Sequence, residues 1–523
     1  MHFYRNVHLL GGFKGAEQGG YETAATQADP DANPTVVDGD LAGNDGSGVL
    51  SDNSYRFVYF HGAMSSGAKV DGFTFRNGHA ADGAGAGGAI RFEVFSGTSS
   101  KLLVSRCKFE ANHAVGNGNG SPYGGAIASD GQELSVRDCV FTLNGAEPPD
   151  PSGNSADGGA IYTNIAIDIT NSVFDRNYSL GQKGAGGAVF VYQSLARVAN
   201  CAFVGNTATI PGGSTHSGFG GAVALQNASS SSRVVNCLFV ANAATDYGGA
   251  VYADNATIMH QCTLTLNDAE VGGGLYVGGG QSELHNSILW HNTSDAASVL
   301  DDQLVLDGSA TASISYCDVE GISAGTGNFS EDPAFADVDG ADNVAGTADD
   351  NCRLLAASPC ISAGDGSIRP SDANDVDDDF TFSEPHPLDL DRGDRVRCVM
   401  EMGAFERPSE SCVGDLDEGG DVDASDLGIL LGQWGGHGIS DLDCDGDVDA
   451  GDLGVLLGAW GDCSNAMSAE ALLGVASESI EPALSPASLA ESLGFGSVDE
   501  FSLWLSELEW DEMVEALAPL VGN

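Results

Sequence analysis

Basic residues are scarce in this chain. Only 20 Lys and Arg face 75 Asp and Glu across 523 residues, a formal charge of −55. A polymer that negative repels phosphate, which excludes sequence-general nucleic-acid binding and disfavours anionic membrane surfaces. Long apolar runs are also missing, and none approaches the roughly 20 residues that span a bilayer. The 73 Gly follow no three-residue period, which excludes collagen. Disorder is excluded as well, because 42% of residues are hydrophobic and only 18% are charged. Cations such as Ca²⁺, neutral carbohydrate or a basic protein are the partners such a composition leaves open.

The first residues, Met1-His2-Phe3-Tyr4-Arg5-Asn6, run straight into Val7-His8-Leu9-Leu10-Gly11-Gly12, which reads as a strand and a corner. A basic segment followed by an apolar core and a small-residue cleavage site is lacking. We expect an extracellular or cell-surface protein whose true start lies upstream.

Repetition sets the architecture. A Gly-Gly-Ala-aliphatic tetrad recurs at Gly87–Ile90, Gly124–Ile127, Gly158–Ile161, Gly186–Val189, Gly220–Val223 and Gly248–Val251, and in variant form at Gly272–Leu275, where Gly274 replaces Ala. The spacings are 37, 34, 28, 34, 28 and 24 residues. Between tetrads comes a small residue, then Phe two later, then Asn three after that. Examples are Cys107/Phe109/Asn112, Cys139/Phe141/Asn144, Ser172/Phe174/Asn177, Cys201/Phe203/Asn206 and Cys237/Phe239/Asn242. Cys262/Leu264/Asn267 and Ser287/Leu289/Asn292 carry Leu in place of Phe. Short strands with Gly and Asn corners at this period predict a mainly β chain, a right-handed parallel β-helix solenoid. Tetrad aliphatics and Phe would form two interior ladders, and Asn a corner ladder of stacked amides.

This pairing of GGA[ILV] with FxxN resembles the repeats of the polymorphic outer membrane protein family over about residues 70–300. The resemblance implies a surface-exposed or secreted β-helix with a role in adhesion, here without the C-terminal membrane barrel. Residues 1–80 read as degenerate opening coils, and we place the coils at 1–326.

Six of the 12 Cys, at 107, 139, 201, 237, 262 and 317, occupy the slot that Ser172 and Ser287 also fill. That exchange favours buried free thiols over ladder disulfides, whose torsion in-register side chains would disfavour. Cys352, Cys360, Cys398, Cys412, Cys444 and Cys463 remain open to pairing.

From about 327 the period fades, and residues 327–405 read as terminal coils with an acidic loop. The stretch from Ser358 to Phe405 resembles the terminal coils of secreted β-helix proteins. In the loop, Asp337, Asp339 and Asp342 alternate around Gly340 and form a further candidate site for a hard cation. Asp375–Asp379 reads as a solvated charge run.

After a linker at 406–411, residues 412–463 carry the strongest local signal. Asp441, Asp443, Asp445, Asp449 and Asp452 fall at positions 1, 3, 5, 9 and 12 of an EF-hand-type Ca²⁺ loop, with Gly446 at 6 and the Asp447 carbonyl at 7. An earlier copy has Asp415, Asp417, Asp423 and Asp426 at positions 1, 3, 9 and 12, turns at Gly420, and offers the Asp421 carbonyl. Gly419 leaves its fifth position without a ligand. Each loop feeds a short apolar run, Leu427–Trp434 or Leu453–Trp460. Two loop–helix units, with Asp at position 12 and no helix before the loop, resemble a type I dockerin. That resemblance implies Ca²⁺ as cofactor and a cohesin-like partner contacted at positions 10 and 11, here Ala424, Ser425, Ala450 and Gly451.

Residues 464–523 read as a short helical tail, with capping-box spacings at Ser488/Glu491 and Ser497/Glu500 and one apolar face through Phe501, Trp504, Leu505 and Leu508. No catalytic residue is assigned. Arg106, Arg137 and Arg176, with Asp138 and Asp175, read as rim charges. We therefore expect a scaffold for adhesion or carbohydrate binding with a Ca²⁺-dependent interaction module. A polysaccharide lyase or glycoside hydrolase delivered through that module is the second expectation, which a carboxylate–basic cluster on one outer face of adjacent coils would favour.

Overall fold

A single coil of short strands buries too little to stand alone, so stability has to come from stacking. The computed structural model describes residues 1–462 except 4–6, 15–27, 45–52, 62–66, 84, 94–100, 117–119, 132, 151–153, 210–217, 296–297, 348, 356, 378, 394, 396–399, 407–413, 418, 437–438 and 444–447. The linker beyond Glu406, Cys398, Cys412, Cys444, Cys463, Asp445, Asp447 and the tail at 464–523 lie outside the described residues.

One coil runs through strands Ile127–Asp130, Glu133–Arg137, Val140–Thr142 and Gly145–Ala146, and the next begins at Ile161–Thr163. Equivalent residues pair in parallel register: Ile127 with Ile161, Leu134 with Ile167, Phe141 with Phe174, Gly145 with Tyr178. Among the described residues this pairing builds three 10-stranded sheets and one 8-stranded sheet. The chain is a parallel β-helix. The described strands before residue 80 belong to it, since His2–Phe3, His8–Leu10 and Thr35–Asp38 pair in parallel with Val58–His61, Ala68–Asp71 and Phe73–Arg76.

The interior is a set of ladders. Ile90, Ile127, Ile161, Val189, Val223 and Val251 are fully buried, as are Phe109, Phe141, Phe174, Phe203 and Phe239. Strand spacing sets the rings 4.7–4.8 Å apart and within 2–6° of parallel from Phe109 to Phe239. Beside them, each of Asn112, Asn144, Asn177, Asn206, Asn242 and Asn267 donates its side-chain amide to the Oδ1 of the next, at 2.8–3.0 Å. The second amide hydrogen reaches back to the carbonyl of the preceding coil's Phe, as from Asn144 to Phe109 at 2.9 Å. Each amide of this ladder is thereby satisfied inside the stack.

The Cys/Ser slot has one function in all coils. Cys107, Cys139, Cys201, Cys237, Cys262 and Cys317 are free, buried thiols that donate to the carbonyl two residues earlier, at 3.1–3.3 Å. Ser172 and Ser287 make the same bond at 2.7 and 2.9 Å. Burial pushes Cys262 and Cys317 up to about 12, so they stay protonated and inert.

The paired glycines have two separate causes. Gly124 turns with φ 62°, whereas a Cβ on Gly125 would lie 2.0 Å from the carbonyl oxygen of Gly159 on the next coil.

Beyond Val319 the chain makes the antiparallel pair Phe335–Asp337 with Asn351–Leu354. Residues 360–406 then take a course different from the expected terminal coils. They run back along the flank of the stack, gripped at coil corners. Asn286 Nδ2 donates to the carbonyls of Asp365 and Ile368, Asn171 Nδ2 to that of Val376, and Asn236 Nδ2 to that of Leu388. Arg395, fully buried, clamps this return by donating to Asn236 Oδ1 at 3.0 Å and to the Gly403 carbonyl at 2.6 Å.

Candidate functional site

Residues 414–462 contain two helices, Ala424–Gly432 and Ala450–Gly458, each started by an Asp. Asp423 accepts the Ser425 N–H at 2.7 Å and Asp449 the Gly451 N–H at 2.6 Å. In return Asp426 and Asp452 accept the N–H of Asp423 and Asp449, each at 2.7 Å. The other oxygen of Asp426 holds the N–H groups of Leu416 and Asp417, and that of Asp452 those of Leu442 and Asp443. Each acidic loop is thus folded back onto the residue that ends it.

This folding gathers charge. Asp415, Asp417 and Asp426 bring carboxylate oxygens within 4.8 Å of one another, and Asp441, Asp443 and Asp452 do the same. Asp426 and Asp452 are fully buried, and Asp415 and Asp441 nearly so. No Lys or Arg lies between 412 and 463 to offset them. Desolvation, and then the charges of Asp423, Asp415, Asp426 and Asp417, push Asp421 upward. The two halves are related: Val422 pairs with Gly461, and the equivalent Val448 exchanges backbone hydrogen bonds with Gly435 and Gly436. Leu416, Val422, Leu427, Leu430, Val448, Leu453 and Leu456 form their shared core.

Among the expected ligands, Asp423 and Asp449 sit as helix N-caps outside the two groups. Asp421 lies in the short pair opposite Asp462. Ala424 and Ala450 are half-buried and Ser425 and Gly451 exposed, all on the first turns. Asp337, Asp339 and Asp342 form no such group among the described residues. Asp342 instead accepts the Val344 N–H at 2.9 Å and donates its own N–H to Asp349 at 3.1 Å, closing a turn.

The β-helix presents two further surfaces. On the tetrad sheet, the residue after each tetrad faces outward, and many are aromatic. Tyr162 stacks on Phe190 at 5.8 Å and meets Tyr123 tilted by 50° at 4.5 Å; Tyr252 stacks on Tyr276 at 5.4 Å and meets Phe219 tilted by 37° at 4.8 Å. Tyr123, Tyr162, Phe219 and Tyr252 are half-buried. Burial, and then the charges of Asp130 and Asp254 respectively, push Tyr123 and Tyr252 up to about 12, so both keep their hydroxyl protons. The signal was in the sequence, at Ile161-Tyr162, Val189-Phe190, Val251-Tyr252 and Leu275-Tyr276.

The neighbouring sheet carries charge. A groove of about 490 Å³ is lined by Lys69, Lys101, Arg106, Arg137, Asp168 and Phe382, among others. Lys101 Nζ lies 2.9 Å from Glu133 and 3.0 Å from Asp168, and Arg197 lies 2.9 Å from Asp168. Burial opposes the Lys101 charge, but these two carboxylates outweigh it and raise its pKa. Of the expected rim charges, Arg106 is exposed but grips the buried Asp71 at 2.6 Å, and the half-buried Arg137 donates to the Asn374 carbonyl at 2.9 Å.

No known family model matches the chain, and no curated protein or solved structure resembles it significantly. Among the described residues, no helix is long and apolar enough to cross a membrane.

Proposed function

We propose that the chain is a secreted or cell-surface right-handed parallel β-helix, built on repeats of the polymorphic outer membrane protein type, that binds carbohydrate in an adhesive role. Residues 412–463 act in this reading as a type I dockerin-like module that holds Ca²⁺ and engages a cohesin-like partner. The observation that carries the binding role is the outward aromatic stripe from Tyr123 to Tyr276. A row of partly exposed aromatic rings with protonated hydroxyls offers apolar surface with polar tips, suited to pyranose rings.

The Ca²⁺ assignment rests on donor chemistry. Both carboxylate groups are all-oxygen, as a hard cation requires, and buried carboxylates with no Lys or Arg in the segment need a counter-charge. Asp415, Asp417 and Asp426 would hold one ion, and Asp441, Asp443 and Asp452 the other.

The second reading is a polysaccharide lyase or hydrolase. The Lys101–Glu133–Asp168–Arg197 cluster favours it, because it spans successive coils on one outer face. Against it, Glu133 and Asp168 are both held in ion pairs with Lys101 and Arg197, which leaves neither carboxylate free to meet a substrate. Affinity electrophoresis against a panel of neutral and acidic polysaccharides, with product release measured in parallel, separates the two. Retardation without reducing-sugar or unsaturated product supports binding, and Ca²⁺-dependent product release overturns it.

A further inference from the structure

The last coils carry a group that neither the aromatic stripe nor the acidic loops use. His260 and His285 occupy the same slot in successive coils, two residues before Cys262 and Ser287, and are paired in register. Their rings meet at 4.9 Å, edge to face. Glu283, on the same outer face, places its carboxylate 3.7 Å from His260 Nε2. One ligand atom from each of His260, Glu283 and His285 lies within 4.8 Å of the others.

His260 is 5% exposed, and neither ring nitrogen has a hydrogen-bond partner among the described residues. A neutral imidazole holds one donor and one acceptor, so leaving both unmet in a buried place is costly. Burial, then the charges of His285 and Arg233, push His260 down to about 3, which leaves its nitrogen lone pair free of a proton at neutral pH. His285 is already oriented from behind, with Nδ1 2.7 Å from Ser315 Oγ. Metal binding would select the tautomer that donates from Nδ1 to Ser315 and presents Nε2.

We propose that His260, Glu283 and His285 form a binding site for a borderline divalent transition ion, Zn²⁺ in the first instance. Two imidazoles and one carboxylate match the ligand set of three-ligand zinc sites, and the half-exposed Glu283 leaves the fourth position to water. Imidazole donors discriminate against Ca²⁺, so this site and the acidic loops take different metals.

The test uses the full chain, stripped with chelator and held in excess Ca²⁺ to fill the carboxylate loops. Calorimetry with Zn²⁺ should show a single equivalent bound. Co²⁺ should give an intense visible band without the near-ultraviolet band of thiolate ligation, which separates this site from the buried cysteines. Glu283→Gln lies on the exposed side and leaves the core intact; it should weaken Zn²⁺ about tenfold or more, and Ser315→Ala about 10–100-fold. His285→Ala should abolish the site, and if that variant fails to fold, Glu283→Gln decides. Absence of Zn²⁺ and Co²⁺ binding in the presence of Ca²⁺, a thiolate band, or unchanged affinity in Glu283→Gln would each overturn the assignment.

Discussion

Gln303 closes the amide ladder by accepting the side-chain N–H of Asn292 at 2.7 Å and its backbone N–H at 3.4 Å, both on Oε1. It belongs to the short helix Val299–Gln303, and it is fully buried. The same closure explains the one altered tetrad: a Cβ on Gly274 would lie 2.5 Å from the Gln303 carbonyl oxygen, where earlier coils have room for Ala. A repeat cannot end on an exposed amide stack without leaving buried donors unmet, and Gln303 is the cap that meets them.

Replacing Gln303 with Ala should therefore destabilise the final coil by about 1–3 kcal/mol, the range for a buried donor left unsatisfied. Hydrogen exchange at Asn292 and Thr293 should accelerate while exchange at Asn177 stays slow. Uniform exchange along the stack would show that Gln303 is not a cap.

Phe203 sits mid-stack between Phe174 and Phe239, at 4.8 Å from each. Neighbouring rings are held by strand register and cannot collapse into a void, so Phe203→Ala should cost about 3–5 kcal/mol in denaturant titration. A loss below about 1 kcal/mol, well under that range, would contradict an interior Phe ladder.

Asp318 is fully buried and accepts a bond from the Cys360 thiol at 3.2 Å. Desolvation pushes its carboxyl up to about 7, against an ordinary value of 3.8. The folded chain therefore keeps a proton that the unfolded chain has lost. Its contribution is complete below about pH 4 and is lost as pH rises through 7, at up to about 1.4 kcal/mol per unit. Stability measured from pH 4 to 8 should fall less steeply in Asp318→Asn than in the wild type. Parallel curves would place the proton elsewhere.

The coil period, both interior ladders and the Asn ladder were legible because strict stacking forces chemically equal residues into equal slots. Phe75 keeps that register with Phe109, but Asn77 follows it by two residues instead of three and lies outside the ladder. It turns with φ 59° at the corner instead, and Gly78 N–H binds Asn112 Oδ1 in its place. The return at 360–406 was not legible, since its grip depends on corner amides such as Asn171 and Asn236 that are far away in sequence. His260 and His285 could have been found, because they share one slot relative to Cys262 and Ser287, but single histidines carry little pattern until the coils are aligned.

The acidic module should bind Ca²⁺ in two steps. The first loop has Gly419 where the second has Asp445, so the second offers more charge and should fill first. Calorimetry on the full chain should show Asp441→Ala removing the tighter step and Asp415→Ala the weaker one. Helical ellipticity should rise as Ca²⁺ relieves repulsion among the carboxylates. If Asp415→Ala removes the tighter step, the order is wrong, and if ellipticity ignores Ca²⁺, the metal does not organise these loops.

Carbohydrate binding through the aromatic stripe is most directly tested by measuring the affinity of the best polysaccharide ligand for Tyr162→Ala, Tyr252→Ala and the double variant. Both side chains are half-buried on the outer face and outside the interior core, so the β-helix should remain folded. Each single variant should bind roughly tenfold more weakly, the scale of an aromatic anchor, with no product released by any form. Unchanged affinity in the double variant, or product release that the wild type sustains and Asp168→Asn abolishes, would contradict that binding role.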